Sequence, residues 1–391
     1  MPDYAILWEW LSFAVRWTHV ITAIAWIGSS FYFIALDLGL RKTPSLPPLA
    51  HGEEWQVHGG GFYHIQKYLV APGHMPEELT WFKWEAYSTW IFGFLLLAST
   101  YYAHPALYLI DPSVSALEPW QAVTASLASL AVGWLLYDGI CRSPLGRDTR
   151  VLTAAVAVLV LAFSELYLRL FGGRAAYLHV GALVGSLMVG NVFFLIIPNQ
   201  KKVVADLLAG RQPDPRLGAQ AKQRSTHNNY LTLPVLFLMI SNHYPMSFGT
   251  GHARLVLIGL FVTGFLVRHF FNMKHAGLIP YRWLWPAAAL VMAGTIALTL
   301  PAPVAGTTGP VSLNDVQAIV AARCVTCHSA APTFDGIAQA PKGLMFDKAD
   351  QIAAHAAEIF QQVVVTRAMP LGNATQMTEE ERARIAAWAA R

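Results

Sequence analysis

The chain has 391 residues, of which 55% are hydrophobic and 13% are charged. Soluble domains carry about 25% charged residues, so this composition excludes an ordinary soluble protein. The mean hydropathy of +0.41 instead predicts a membrane bundle with a small additional domain. The net charge of +4 is modest, so no nucleic-acid partner is expected, and three cysteines are too few for a disulfide framework.

Eight stretches are apolar enough to cross a bilayer, which takes about 20 residues of α-helix. They are residues 6–36, 86–108, 120–141, 151–171, 176–198, 230–248, 253–272 and 283–301. No basic segment precedes the first stretch, so it is expected to remain as a spanning helix and not to be cleaved as a signal peptide. Polar connections are expected over residues 40–83, where a run of three glycines disfavours a helix, and over residues 199–225.

The basic residues concentrate in alternate connections, those after the first, third, fifth and seventh predicted spans. The connection over residues 199–225 alone carries Lys201, Lys202, Arg211, Arg216, Lys222 and Arg224. Because basic connections face the cytoplasm, eight spans place both termini on the periplasmic side of a bacterial inner membrane. Bacteria attach c-type haem on that same side.

A faint internal repeat relates the two halves of the predicted bundle. A shift of 160 positions aligns residues 17–20, which include His19, with residues 177–180, which include His179. The same shift aligns Phe33 with Phe193. The alignment predicts a 4+4 parallel repeat about an axis along the membrane normal. Chance similarity between apolar helices is the alternative.

The C-terminal segment contains a CxxCH motif, formed by Cys324, Cys327 and His328. Two thiols at this spacing can bond covalently to the vinyl groups of haem c, and the histidine that follows them becomes an iron ligand. A zinc or thioredoxin-like site is the alternative, but it needs no adjacent histidine and there is no second cysteine pair. A helix capped by Ser312 before the motif, and a final helix with a capping box from Thr378, match the plan of a small cytochrome c.

The second iron ligand is expected between those two helices. Met369 is predicted because Pro370 follows it and fixes the loop that presents the sulfur. Met345, Met377 and His355 are the rival ligands. Ligation by methionine and histidine raises the haem potential, so the domain is expected to accept electrons.

Two intramembrane histidines stand out because the predicted repeat pairs them. His19 and His179 would face each other across the axis of the repeat and could ligate a haem b. The alternative is that each histidine only bonds a neighbouring helix.

Five polar residues near the ends of the predicted spans are candidates for substrate chemistry: Glu85, His227, Asn228, His243 and His269. Ionisable groups are costly in a membrane, so each is a functional candidate by default. Histidine or glutamate can act as a general base, and an amide can bond the edge of a planar ligand. Anchoring at the membrane interface is the alternative role for these residues.

Four segments together resemble one known family. They are RWTHVITAIAWIGSSFYF at 16–33, VHGGGFYH at 57–64, WFKWEAYSTW at 81–90 and HNNYLTLPVLFLMISNHYP at 227–245. With the CxxCH tail, they are similar to the membrane-bound, cytochrome-c-linked urate oxidases over the whole chain. The resemblance implies oxidation of urate to 5-hydroxyisourate without hydrogen peroxide, with electrons passing to haem c and on to a soluble cytochrome or a respiratory oxidase. The first segment also resembles the HemJ-type membrane haem proteins, whose first-helix histidine binds haem b.

The sequence therefore predicts an all-α fold, with an eight-helix membrane bundle over residues 1–301, a linker over 302–310 and a small cytochrome c domain over 311–391. The predicted function is a cytochrome-c-linked urate oxidase. The alternative is a membrane-anchored electron conduit, which would pass electrons from quinol or a dehydrogenase to an oxidase and have no organic substrate of its own. A transporter fits less well, because it has no obvious use for a covalent haem.

Overall fold

The computed structural model describes residues 3–73, 76–300 and 311–389. Over these residues the chain is mostly helical, as predicted, and contains one two-stranded sheet. The predicted linker over residues 302–310 lies outside the described residues. The helices are α1 (Asp3–Gly39), α2 (Trp84–Leu97), α3 (Pro105–Tyr108), α4 (Pro119–Arg142), α5 (Thr149–Leu170), α6 (Gly173–Gly190), α7 (Ile197–Leu208), α8 (Pro215–Ile240), α9 (Ala253–His275), α10 (Leu284–Thr299), α11 (Leu313–Arg323), α12 (Ala349–Ala354), α13 (Ala356–Phe360) and α14 (Glu379–Ala389).

Five of the described helices are long and apolar enough to cross a membrane, as expected for a membrane protein. They are Ile6–Gly39, Pro119–Arg142, Thr149–Leu170, Gly173–Leu208 and Ala253–His275. The other three predicted spans coincide with α2 and its π-helical extension Ala98–Tyr102, with the apolar half of α8, and with α10. The total of eight spans stays a prediction.

The stretch over residues 199–225, predicted as a connection, is largely helical. α6 continues through a π-helical segment, Asn191–Ile196, into α7, and α8 already begins at Pro215. This connection is helical because lysine, arginine, glutamine and alanine all favour a helix and extend it beyond its apolar part. Arg224, counted from sequence among the basic residues of a connection, is only 1% exposed inside α8.

The connection after α1 contains a β-hairpin of β1 (Ala50–His58) and β2 (Gly61–Tyr68), which sequence reasoning missed. Gly59 and Gly60 form its two-residue turn with φ angles of 60° and 82°. A turn with two positive φ angles matches the twist of the strands and strongly favours glycine. The glycine run therefore marks a hairpin turn.

A buried carboxylate ties the hairpin to the chain before it. Glu53 accepts hydrogen bonds from the Thr43 hydroxyl and from Nε2 of His64, the latter at 2.7 Å. These two bonds hold the pKa of Glu53 below its usual range. Trp55 stacks on His64 across the strands with ring centroids 4.1 Å apart.

The chain divides into two compact units. The first unit comprises Met1–Leu96, Val184–Leu236 and Phe261–Val291. The second unit comprises Leu97–Leu183, Phe237–Leu260 and Met292–Arg391. The C-terminal tail, residues 311–389, therefore packs in one unit with α4, α5 and most of α6.

The tail has an apolar core of its own, enclosed by α11 to α14. Ser312 caps α11 by accepting from the backbone N–H of Asp315 at 3.3 Å. Thr378 and Glu381 form the predicted capping box at the start of α14, with distances of 2.8 and 3.3 Å. Both predicted helix starts are confirmed. The most deeply buried core residues are Val316, Val320, Ile352 and Ile385.

Candidate functional site

The CxxCH segment begins where α11 ends, at Cys324. The backbone N–H of His328 donates to the Cys324 carbonyl at 2.8 Å, so the motif closes in a tight turn. Nδ1 of His328 lies 3.0 Å from the Leu344 carbonyl. Because a carbonyl oxygen can only accept, Nδ1 carries the proton and Nε2 keeps its lone pair. Metal-ligating histidines are typically held in this way, so the residues fit the predicted haem c.

The two cysteines of the motif are not joined to each other by a disulfide. Burial, and to a smaller extent the neighbouring Cys327, raises the pKa of Cys324 to about 12. Burial also raises the pKa of Cys327, so both thiols are neutral at pH 7. In the described parts of the chain, no group of three or more His, Cys, Asp or Glu side chains could hold a metal ion.

The loop that carries Met369 is held by an arginine of α14. Nη1 of Arg382 donates to the Met369 carbonyl at 2.8 Å and to the Val363 carbonyl at 2.5 Å. Met369 and Cys324 both pack against the tail core.

The rival ligands have different surroundings. Met377 is 4% exposed and belongs to the core, whereas Met345 is 37% exposed. His355 lies beside Glu358, with Nδ1 3.8 Å from its carboxylate. The choice of Met369 stays a prediction.

A cavity of about 810 Å³ lies between the Met369 loop and three helix connections of the second unit. These connections fall within residues 107–113, 172–175 and 242–249. Beside the cavity the backbones approach closely: a Cβ on Gly249 would lie 2.1 Å from the Thr366 carbonyl oxygen, and one on Gly372 would lie 2.9 Å from that of Leu107. Glycine is therefore required where the tail meets the helix ends.

His19 of α1 lies against α2 in the first unit. Its Nδ1 is 2.9 Å from the Thr89 carbonyl, so Nδ1 donates and the lone pair is on Nε2, as in His328. Gly93, one turn beyond Thr89, faces the imidazole so closely that a Cβ there would lie 2.8 Å from Cε1 of His19. The residue fits a haem ligand.

His179 is fully buried in the second unit. Its Nδ1 donates to the Ala175 carbonyl at 2.7 Å, and its Nε2 accepts from the Ser126 hydroxyl at 2.7 Å. The Ser126 oxygen also lies 2.7 Å from the Tyr102 hydroxyl. Because both ring nitrogens are engaged, His179 does not fit a haem ligand in this arrangement. The pairing with His19, which belongs to the other unit, stays a prediction.

A second cavity, of about 390 Å³, lies in the first unit and is called the aromatic cavity. Two residues of the π-helical segment, Val192 and Ile196, form part of its wall. Flat aromatic faces with a few polar groups suit a planar polar ligand. The aromatic lining is Trp26, Phe33, Trp81 and Phe82, and the polar lining is Ser29, Ser30, Thr80, Gln200, Ser225 and Asn228.

A chain of hydrogen bonds leads from Arg224 to Asn228. Nη1 of Arg224 donates to Oδ1 of Asn191 at 3.2 Å, and Nδ2 of Asn191 donates to Oδ1 of Asn228 at 2.8 Å. Nδ2 of Asn228 then donates to the Met188 carbonyl at 2.9 Å. The guanidinium can only donate and the carbonyl can only accept, so the orientation of both amides is fixed.

The other four candidates for substrate chemistry do not line the aromatic cavity. Glu85 is the second residue of α2, and His227 is half-buried in α8. Nδ1 of His269 lies 2.8 Å from the Tyr230 hydroxyl. His243 is exposed in a short turn of the second unit. Their catalytic roles stay predictions.

Sequence reasoning missed two groups at the aromatic cavity. Asn191 and Arg224 orient Asn228, and Trp26 and Trp81 line the cavity. The four-residue spacing of Arg224 and Asn228 on one helix was a usable signal. Nothing in a single sequence indicates that Asn191 meets them.

The comparisons with known proteins agree with the resemblance found in the sequence. The family described as urate oxidase N-terminal matches residues 5–300, which contain every helix from α2 to α10 and nearly all of α1. No curated protein and no solved structure matches the chain. Since the family match extends over most of the sequence, the chain belongs to the urate oxidase N-terminal family.

Proposed function

We propose that this chain is a membrane oxidoreductase that oxidises urate to 5-hydroxyisourate and passes the electrons to haem c in its tail. One observation carries the proposal: the helices that match the urate oxidase family are joined to a CxxCH segment whose His328 is oriented as a metal ligand. Family membership supports oxidation of urate, and the five apolar helices support a membrane location.

The proposed reaction balances without oxygen. Urate and one water give 5-hydroxyisourate, two protons and two electrons, so no hydrogen peroxide forms. A base removes a proton from urate while water adds at C5, and Glu85, His227, His243 and His269 are the candidate bases. Cys324, Cys327, His328 and Met369 would hold haem c, which would take the two electrons one at a time and pass each to the external acceptor, at a potential raised by the methionine ligand.

The position of the tail supports an electron exit on the periplasmic side. Within the second unit, the tail meets the connections before α4 and after α5. It therefore lies at the end of these two helices away from the basic segment 142–150, which is predicted to be cytoplasmic. Eight spans in a 4+4 parallel repeat place the same connections outside. A soluble cytochrome or a respiratory oxidase is the proposed acceptor.

We also propose that the membrane helices bind a haem b. His19 supports it, because its Nδ1 bond to a carbonyl leaves Nε2 as a ligand atom. For His179 to be the partner, its Nε2 would have to release the Ser126 hydroxyl. A pyridine haemochrome assay on His19→Ala and His179→Ala variants tests each ligand separately, since loss of the b-type signal in only one variant rejects the pairing.

The main test is anaerobic titration of the oxidised, full-length protein with urate. We expect a c-type absorption band to become reduced and the product to carry oxygen from oxygen-18-labelled water. Cys324→Ser should abolish the response, whereas the control Cys141→Ser, which alters the cysteine outside the motif, should keep it. If urate leaves the band oxidised while a quinol reduces it, the chain is an electron conduit and the proposal is wrong.

A further inference from the structure

We propose that the aromatic cavity binds the urate anion and that Asn228 recognises one edge of the purine. This inference rests on the proposed function, because it names the place where the substrate of that reaction binds. The volume of about 390 Å³ lies within the range of roughly 300–1,000 Å³ that small-molecule pockets occupy. Trp26 and Trp81 line the cavity, and indole rings are suited to stacking on a flat heterocycle.

The amide of Asn228 keeps hydrogen-bonding capacity for a ligand. A carboxamide has two N–H donors and an oxygen with two lone pairs. The Met188 carbonyl takes one donor, and Nδ2 of Asn191 takes one lone pair. One N–H and one lone pair remain on an amide that lines the cavity. Urate repeats the complementary pattern along its rim, because its N–H groups lie next to carbonyl groups.

The hydrogen-bond chain also determines which ligand charge the cavity favours. Arg224 is 1% exposed and donates to Asn191, so a buried positive charge lies behind the amide wall. Each donor in such a chain is polarised by the one before it, which strengthens the last N–H. That arrangement favours an anionic ligand with carbonyl oxygens over a neutral apolar one. Asn191 and Arg224 are positioning residues, since they act through Asn228.

The backbone at the cavity supports a functional role independently of the side chains. The segment Asn191–Ile196 is π-helical, and π-helical turns inside α-helices are frequent at functional sites. The segment places Asn191 against Asn228 and lines the cavity with Val192 and Ile196. One local irregularity therefore supplies both the amide contact and part of the apolar wall.

The larger cavity beside Met369 is the competing location for urate. It has Tyr108 and Phe248 as aromatic side chains but no tryptophan, and its cations are Arg174, Lys342, Arg367 and Arg382. These cations lie on four separate segments, and three of them already have partners: Arg174 donates to Asn242 at 3.3 Å, Arg367 pairs with Glu379 and Arg382 donates to two carbonyls. The smaller cavity has the denser aromatic lining and the fixed amide, so we assign the purine there.

The test measures urate binding apart from turnover. Full-length protein reduced with dithionite can accept no electrons, so isothermal titration with urate under argon reports binding alone. Asn228→Asp keeps the shape but replaces the free N–H by a negative oxygen. We expect its Kd for urate to rise roughly 10- to 100-fold, as for loss of a bidentate contact. Asn199→Asp is the matched control, because it loses a similar bond to the Leu217 carbonyl outside the cavity.

A second variant tests the same cavity in case Asn228→Asp fails to fold. Gln200 is an exposed residue of the cavity wall, so Gln200→Trp fills the space without entering the core. It should also weaken urate binding at least tenfold, with an unchanged melting temperature. Unchanged binding in both variants overturns the inference, as does weaker binding in Arg174→Gln alone or no binding by the wild type. If the wild type binds urate in the cavity but anaerobic urate reduces no haem, the site stands and the proposed function fails.

Discussion

Replacing Arg382 by methionine should release Met369 from its predicted place beside the haem. Nη1 of Arg382 donates to the Met369 carbonyl at 2.8 Å and to the Val363 carbonyl at 2.5 Å, and the side chain is 9% exposed. A hydrogen bond from a charged donor contributes about 1.5–3 kcal/mol. Only the bond at 2.8 Å is made to Met369, and its nitrogen also serves Val363, so we take the lower end of this range, about 1.5 kcal/mol. That is roughly a tenfold shift from ligated to unligated methionine.

The assay is the visible spectrum of the oxidised protein, which carries a charge-transfer band when methionine binds ferric iron, together with the haem potential. Arg382→Lys keeps the charge but reaches one carbonyl, so an intermediate loss is expected. Arg384→Met is the control, because its bond to Asp315 lies on the surface and is worth less than about 1 kcal/mol. A wild-type band and potential in Arg382→Met would refute the reasoning.

Three further predictions follow from single contacts. Met369→Leu should keep the covalent haem but lose the methionine–iron band; a retained band would show that another residue is the ligand. Gly93→Ala places a Cβ 2.8 Å from the His19 ring, so it should abolish any b-type haemochrome signal, whereas Gly28→Ala, with no atom within 4 Å, should keep it. The bonds that lower the pKa of Glu53 stabilise the fold above the ordinary glutamate pKa of about 4.3. This contribution is lost as the pH falls through the lowered value, so the difference in melting temperature between wild type and Glu53→Gln should shrink in acid.

The parts of the fold that depend on local pattern could be read from the sequence. The bounds of α4 and α5 lie within two residues of the predicted spans, because an apolar run that crosses a bilayer satisfies its backbone hydrogen bonds by folding as a helix. The two helix starts in the tail were predicted from their capping residues, Ser312 and Thr378, since a cap depends on only four neighbouring positions.

The aromatic cavity could not be read from the sequence, because its walls are brought together by packing. Trp26 and Val192 are far apart in the chain, and a single sequence holds no signal that pairs them. The burial of Arg224 could not be read from the sequence either. Arg224 was counted among the basic residues of a connection, whereas it lies buried in α8 and donates to Asn191. The hairpin was missed because its Gly59–Gly60 turn was interpreted only as a helix breaker.

The π-helical segment Asn191–Ile196 makes the position of a length change, more than the residue type, the sensitive variable at the aromatic cavity. A π turn holds one residue more than the α turn it replaces. Deleting Phe193 would therefore let the segment relax to regular α-helix while α7 keeps its rotation relative to α6. The first turn of α7 has no such surplus residue, so a deletion there would rotate the rest of α7 by about 100° and take Gln200 out of the cavity wall. Two deletions a few residues apart would thus have opposite effects on the site.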